Sequence, residues 1–491
     1  MKKRLHGILF VCVGLILNIP SSILNSAHAQ VVPDSYRKQK QVEMLQFTDS
    51  IHDEFVRYLE HLWTEYQLFE GELFPLDNKP VTQPHVDTSY LIEDTLKTDR
   101  LMQYEEIGTV QASEEAVIAQ PAAIGTTQMR DYSVPFYGRR LSVAFPAKVA
   151  GIALSGISER QVAHYWKRLL ESHVDRCVAS LDRQRRDLYL NDWGIFDLIR
   201  HFSATVYPGR ANEQAVLSVF LLDALHYDAR VGRMGDRLVM LINTGSLLYE
   251  TNYVEIDGAR YYVFGDMQRK GRLYTYERQM PRADRPIDMH LFHSPRLGGA
   301  LSANAFSSSL AGHTVAVRVN QPLMDFYADY PPTELSIYAT AALEEAFAAS
   351  IERELRPLVK GKSVSDALNT LLLFMQQGFK YQTDTKQFGH EKNFFCEENF
   401  YYPANDCEDR AILFARIVRL LFGYDAALME YDDHVAAAVC VPDGKEGGFY
   451  FDIHGKRYTV CDPTCIGAAV GDLSSKYRNK KANIIELKGE N

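Results

Sequence analysis

Asn405-Asp406-Cys407-Glu408-Asp409-Arg410 runs without a break into Ala411-Ile412-Leu413-Phe414-Ala415. An acid-rich polar segment that opens onto a continuous apolar run reads as the start of a helix buried almost all round, with Cys407 in its first turn. A thiol there sits beside backbone N–H groups that have no partner within the helix, and the positive end of the helix dipole favours thiolate. The same N–H groups are suited to hold an oxyanion. Further along, His434 opens the small-residue strand Val435-Ala436-Ala437-Ala438-Val439, which is narrow enough to let an imidazole approach the thiol. Asp462 ends the strand Arg457-Tyr458-Thr459-Val460 and precedes Pro463-Thr464. A carboxylate at that position accepts from the second imidazole nitrogen and fixes its tautomer. Cys407, His434 and Asp462 are thus the candidate catalytic residues, as nucleophile, base and orienting group.

The surroundings of this stretch occur twice. A shift of 197 residues brings 226–265 onto 423–462 without a gap, and 10 of 40 positions are identical. His226-Tyr227-Asp228-Ala229 meets Gly423-Tyr424-Asp425-Ala426. Tyr253, Ile256, Gly258, Arg260, Tyr261 and Val263 meet Tyr450, Ile453, Gly455, Arg457, Tyr458 and Val460. An apolar helix precedes each copy, so both read as buried helix followed by a Tyr-Asp-Ala turn into strands. At the same shift Cys407 faces Arg210, His434 faces Arg237 and Asp462 faces Gly265. The first copy keeps scaffold residues and lacks all three chemical ones.

Asp-Cys-Glu-Asp-Arg before an apolar helix, a histidine opening a strand, and Tyr458 followed by Asp462-Pro463-Thr464 together resemble the transglutaminase-like superfamily, in particular the bacterial transglutaminase-like cysteine proteinases. The resemblance covers roughly residues 360–470 and includes Gly378-Phe379-Lys380-Tyr381. It implies an α+β, papain-like core with a Cys-His-Asp triad on Cys407, His434 and Asp462, duplicated here with a degenerate first copy. The sequence departs from the pattern at Ala436, where an aromatic commonly follows the histidine by two, and at Asn405-Asp406, where a glycine is usual before the cysteine. In the similar proteinases, acids beside the cysteine are associated with calcium. Asp406 and Glu408 are therefore the positions for such an ion, with Arg410 as another source of positive charge and helix capping as the ordinary role of Asp406. No other cofactor is implied.

Compartment and partners follow from composition. Lys2, Lys3 and Arg4 precede the short apolar run Ile8 to Leu17, and Ala27-His28-Ala29 is a small-x-small cleavage site, so 1–29 reads as a signal peptide and the protein as exported, periplasmic or extracellular. Its removal takes away three basic residues and no acidic ones, moving the formal charge from -10 to -13. That balance argues against nucleic acid, no later stretch is apolar enough for membrane insertion, and the expected partner is a protein or peptide substrate. Six cysteines remain, too few for a disulfide scaffold and without the paired spacing of a zinc site.

The expected organisation is a signal peptide (1–29), an N-terminal helix and linker (30–135), a degenerate transglutaminase-like domain (136–270), a connecting β-rich segment (271–332), an active transglutaminase-like domain (333–475) and a solvated tail (476–491). The expected activity is thiol-dependent amide hydrolysis through an acyl-enzyme. Transamidation by an amine is the second enzymatic reading, and a non-catalytic binding or assembly module on the same fold is the third.

Overall fold

Two hairpin turns show why the repeated residues recur. Asp257-Gly258 and His454-Gly455 each place two successive residues at positive φ (52° and 82°; 48° and 77°). This is the two-residue turn whose twist matches that of antiparallel strands, and its second position favours glycine. The strands leaving each turn carry the same ring contact. The Arg260 guanidinium lies 4.9 Å from the centre of the Tyr253 ring, and that of Arg457 lies 3.7 Å from Tyr450.

The computed structural model describes residues 52–71, 100–101, 104–107, 128–172, 174–267, 272–280, 282–441 and 447–487. The expected signal peptide lies outside them. In chain order the strands are β1 (Thr64–Tyr66), β2 (Arg100–Leu101), β3 (Tyr104–Ile107), β4 (Met129–Phe136), β5 (Arg139–Pro146), β6 (Ala229–Met234), β7 (Arg237–Asn243), β8 (Tyr253–Ile256) and β9 (Ala259–Phe264). They continue with β10 (Leu273–Thr275), β11 (Phe306–Leu310), β12 (His313–Val317), β13 (Ala426–Tyr431), β14 (His434–Cys440), β15 (Phe449–Ile453), β16 (Lys456–Cys461) and β17 (Ala482–Leu487). The fold is mixed α+β. Among the described residues no helix is long and apolar enough to cross a membrane.

Two sheets dominate, with orders β1-β10-β6-β7-β9-β8 and β2-β15-β16-β14-β13-β17-β3. The run β10-β6-β7-β9-β8 matches β17-β13-β14-β16-β15. Register matches too: Met240 opposes Phe264 as Ala437 opposes Cys461, and Tyr253 opposes Tyr262 as Tyr450 opposes Thr459. Each pair is separated by the same 197 residues. The helices Ala211–Ala224 and Cys407–Phe422 precede the two sets of strands. In the second half, Ala436 and Ala438 join Met429, Phe451, Tyr458, Val460 and Ile484 in one core. Ala437 and Val439 belong to the opposite face of the strand, and Ile412, Leu413 and Phe414 of the helix are wholly buried. Three consecutive alanines keep that strand thin where helix and sheet meet.

Several boundaries differ from the sequence expectations. Of the expected N-terminal helix and linker, residues 52–59 are helical, β1 follows and Leu62 is exposed, while 30–51 lie outside the described residues. The linker expected up to 135 contains β2 and β3, which add to the two edges of the second sheet, and β4 begins at Met129. Strands of two and four residues that borrow their pairing from a sheet leave no periodicity of their own to read. Two helices, Glu159–Leu170 and Asp175–Asp187, lie in the segment expected as the degenerate domain, and two more, Leu335–Thr340 and Glu345–Val359, open the segment expected from 333. The tail expected to be solvated from 476 supplies β17, paired with both β13 and β3. Its lysines misled the reading: Lys476 and Lys480 pair with Asp433, so their charge marks attachment rather than a free end.

Candidate active site

Cys407 is the first residue of the helix Cys407–Phe422, as its sequence requires. Asp406 is the N-cap, and Asp409 reaches back to accept from the Asp406 N–H at 3.3 Å. Asp409 also accepts from the Phe394 N–H at 2.9 Å, tying the helix start to the preceding insert. Arg410 does not use its hydrogen bonds on the neighbouring acids. It donates to the side chain of Asn405 and the carbonyl of Phe379, both at 2.9 Å, and its guanidinium lies over the Tyr381 ring.

His434 begins β14 and Asp462 follows β16, two strands paired side by side. Their side chains meet: His434 Nε2 and Asp462 Oδ2 are 2.8 Å apart. Asp462 is fully buried and His434 only 7 % exposed. The other carboxylate oxygen accepts from the N–H groups of Thr464 and Cys465 at 2.9 and 3.2 Å. Burial alone would push this carboxyl up. The His434 ring and the two N–H donors outweigh it and hold Asp462 below the usual carboxylate range. With Nε2 engaged, Nδ1 is the ring nitrogen left for proton transfer.

Cys407 is 5 % exposed, and its thiol donates to Glu408 Oε2 at 3.0 Å. Tyr477 is the neighbour common to the group. Its ring stacks on the His434 imidazole at 4.9 Å between centres. Its hydroxyl is held far above the usual phenol range by burial and then by the negative charge of Asp433, Cys407, Asp462 and Cys465. None of the six described cysteines is in a disulfide.

Beside the thiol lies an acidic cluster that sequence reasoning grasped only in part. Carboxylate oxygens of Asp384, Glu391, Asp406 and Glu408 all lie within 4.8 Å of one another, and all four residues are buried. Asp406 and Glu408 were expected. Asp384 and Glu391 come from the insert before the helix, whose rings Phe388, Phe394 and Tyr402 pack together. Asp384 Oδ2 accepts from the Lys392 N–H, whereas its buried Oδ1 has no hydrogen-bond partner among the described residues. Burial, and then the charges of Asp409 and Glu408, push the Asp384 carboxyl well above its ordinary value. Four buried carboxylates at this separation repel strongly unless protons or a cation intervene, and an all-oxygen donor set suits a hard divalent ion. No signal in the sequence joined Asp384 and Glu391 to Asp406, because the insert carries no regular period. Tyr477 was missed because it lies in the segment read as tail.

No protein-family model, curated protein or solved structure matches the chain.

Proposed function

We propose that this protein is an exported thiol hydrolase of the transglutaminase-like kind, acting on peptide or isopeptide amides. The observation that carries the reading is the buried His434–Asp462 pair at 2.8 Å, with Cys407 in the first turn of a core helix supplying the thiol. Cys407 attacks the amide carbonyl, and the thiol proton passes to His434 Nδ1. His434 then returns that proton to the leaving amine, and the thioester forms as the C–N bond breaks. Water, deprotonated by His434, attacks the thioester and releases the acid and the thiol. Asp462 keeps the imidazole in the tautomer this sequence needs. Backbone N–H groups at the helix start are the natural donors to the oxyanion.

Calcium belongs to the same reading. Asp384, Glu391, Asp406 and Glu408 would hold it, and its charge would relieve their mutual repulsion. Glu408 then has less demand for the thiol proton it now accepts, so the thiol is freer to engage His434.

Alkylation by iodoacetamide at mildly acidic pH tests the proposal. Cys407 is expected to react at least about tenfold faster than the other five cysteines, and His434→Ala is expected to remove that advantage. Uniform slow labelling of all six would sink the enzymatic reading and leave a scaffold. An amine-incorporation assay separates hydrolysis from transamidation, since both share every step to the acyl-enzyme.

A further inference from the structure

The first half carries a cavity of about 480 Å³. It lies between the helices Asp192–Val206 and Ala211–Ala224, with Leu238 and Met240 of β7 and the Gly265-Asp266 turn as further walls. Shifted by 197, Ala211 falls on Glu408, Leu238 on Val435 and Gly265 on Asp462. The space therefore opens where the second half places the neighbours of Cys407 and His434, and Asp462 itself. Gly265 contributes no side chain to it, and a Cβ there would meet Val239 at an ordinary van der Waals distance of 3.6 Å.

Its chemistry differs from that of the site in the second half. Leu238, Met240, Ala204 and Ala215 make an apolar lining. Arg200 is the cation on the wall: one guanidinium nitrogen donates to Asp197 at 3.1 Å, its plane lies over Phe196, and its side chain is 42 % exposed. The acid at the rim, Asp266, is already paired with Arg237 at 3.3 Å. The uncharged Gln214 donates to the Tyr207 carbonyl, and Ser218 to Ser203. The His201 ring is engaged by the Pro135 carbonyl at Nδ1. Asp197 engages only one nitrogen of Arg200, so a guanidinium with donors to spare stands at the wall of an apolar pocket, and this suits a carboxylate on an apolar body. The volume is that of a small-ligand site, roughly 300–1,000 Å³, and excludes a folded partner.

We propose that this cavity binds the free C-terminal carboxylate of a peptide whose last residue is apolar, Arg200 taking the carboxylate and Leu238 and Met240 the side chain. The degenerate half is then a peptide-binding site, and its ligand does not depend on Cys407 being reactive. Single amino-acid derivatives share the chemistry, so the test separates them.

Calorimetric titration of the full chain with acetyl-Ala-Ala-Leu as free acid, the same peptide as C-terminal amide, and acetyl-leucine decides the matter. The free acid is expected to bind at least tenfold more tightly than the amide or acetyl-leucine. Arg200→Gln, at an exposed side chain, and Met240→Trp, which fills the space, are each expected to weaken it at least tenfold, while Cys407→Ala leaves it unchanged. Equal binding of acid and amide, no binding of the acid, or full binding by Arg200→Gln overturns the proposal. Acetyl-leucine binding as tightly as the peptide overturns the peptide assignment, and loss of binding in Cys407→Ala places the ligand in the other half.

Discussion

The two halves share strand order, register, a hairpin turn and an Arg-Tyr ring contact, yet they differ wherever chemistry is concerned. Where the second half has Cys407, His434 and Asp462, the first has Arg210, Arg237 and Gly265. Arg210 is tied to Glu213 at 2.6 Å and Arg237 to Asp266 at 3.3 Å, so both arginines have settled into ordinary ion pairs, and Gly265 has no side chain at all. Asp406 and Glu408 fall on Gly209 and Ala211, which removes two of the clustered acids as well. The lesson is that a sheet and its helix survive as packing, whereas a reactive site depends on a few side chains that packing does not require.

The largest contrast expected is in activity. Cys407→Ala should lower hydrolysis of an unfolded protein substrate such as casein by at least about 10³-fold, as removal of a nucleophile does. Arg210→Ala, at the matching place in the first half, should leave the rate within about twofold. If both variants lose activity alike, the halves are not divided in labour as proposed.

A cation should act on one half alone. Calcium is expected to raise the melting temperature by about 5 °C in a thermal-shift assay, the order produced by ligand well above its dissociation constant. Asp384→Asn should abolish most of that shift and, without calcium, melt higher than the parent because an amide stays neutral beside Asp409 and Glu408 without having to hold a proton. An unchanged shift in Asp384→Asn would remove the cluster as the ion's site.

Stability against pH sharpens the comparison with opposite signs. In the first-half helix, Asp223 is buried where the second has Leu420, and burial raises its carboxyl to about 6, only partly opposed by Arg282. Its folded-state value lies above the unfolded one, so between about pH 4 and 6 the folded chain holds more protons and stability falls as pH rises. Asp223→Asn should remove a fall of about 2 kcal/mol across that window, measured by urea denaturation at pH 4 and pH 7. Asp462, held low by His434 and its N–H donors, runs the other way: its contribution is full above about pH 4 and is lost as pH falls below. A parallel pH response in Asp223→Asn and the parent would break the assignment.

The smallest effect is expected from Tyr477. Tyr477→Ala removes the ring stacked on His434 and should slow Cys407 alkylation about threefold, with Tyr477→Phe restoring it because the ring, not the hydroxyl, makes the stack. Equal loss in both variants would mean that the hydroxyl acts instead.

How much could be read beforehand varied with the kind of signal. Cys407 at a helix start was legible because acids followed by an apolar run carry the helix boundary locally. The matching frameworks were legible because identical residues recur at one spacing. The roles of β2, β3 and β17 were not, since short edge strands and a lysine-rich ending look like linker and tail until a sheet pairs with them. Asp384 and Glu391 escaped for the same reason: their meaning lies in where the insert folds, not in its own order of residues.

Sequence by itself determined the helix that presents Cys407, the strands that begin at His434 and end before Asp462, and the twofold recurrence of that frame, because periodicity, turns and caps act between residues close in the chain. Only the tertiary structure decided that His434 and Asp462 meet at 2.8 Å, that four acids gather beside the thiol, that Tyr477 lies on the imidazole, and that the first half leaves a cavity at the positions matching Glu408, Val435 and Asp462. Those facts join segments tens to hundreds of residues apart, and such distances are set by how whole sheets and helices pack rather than by any local preference.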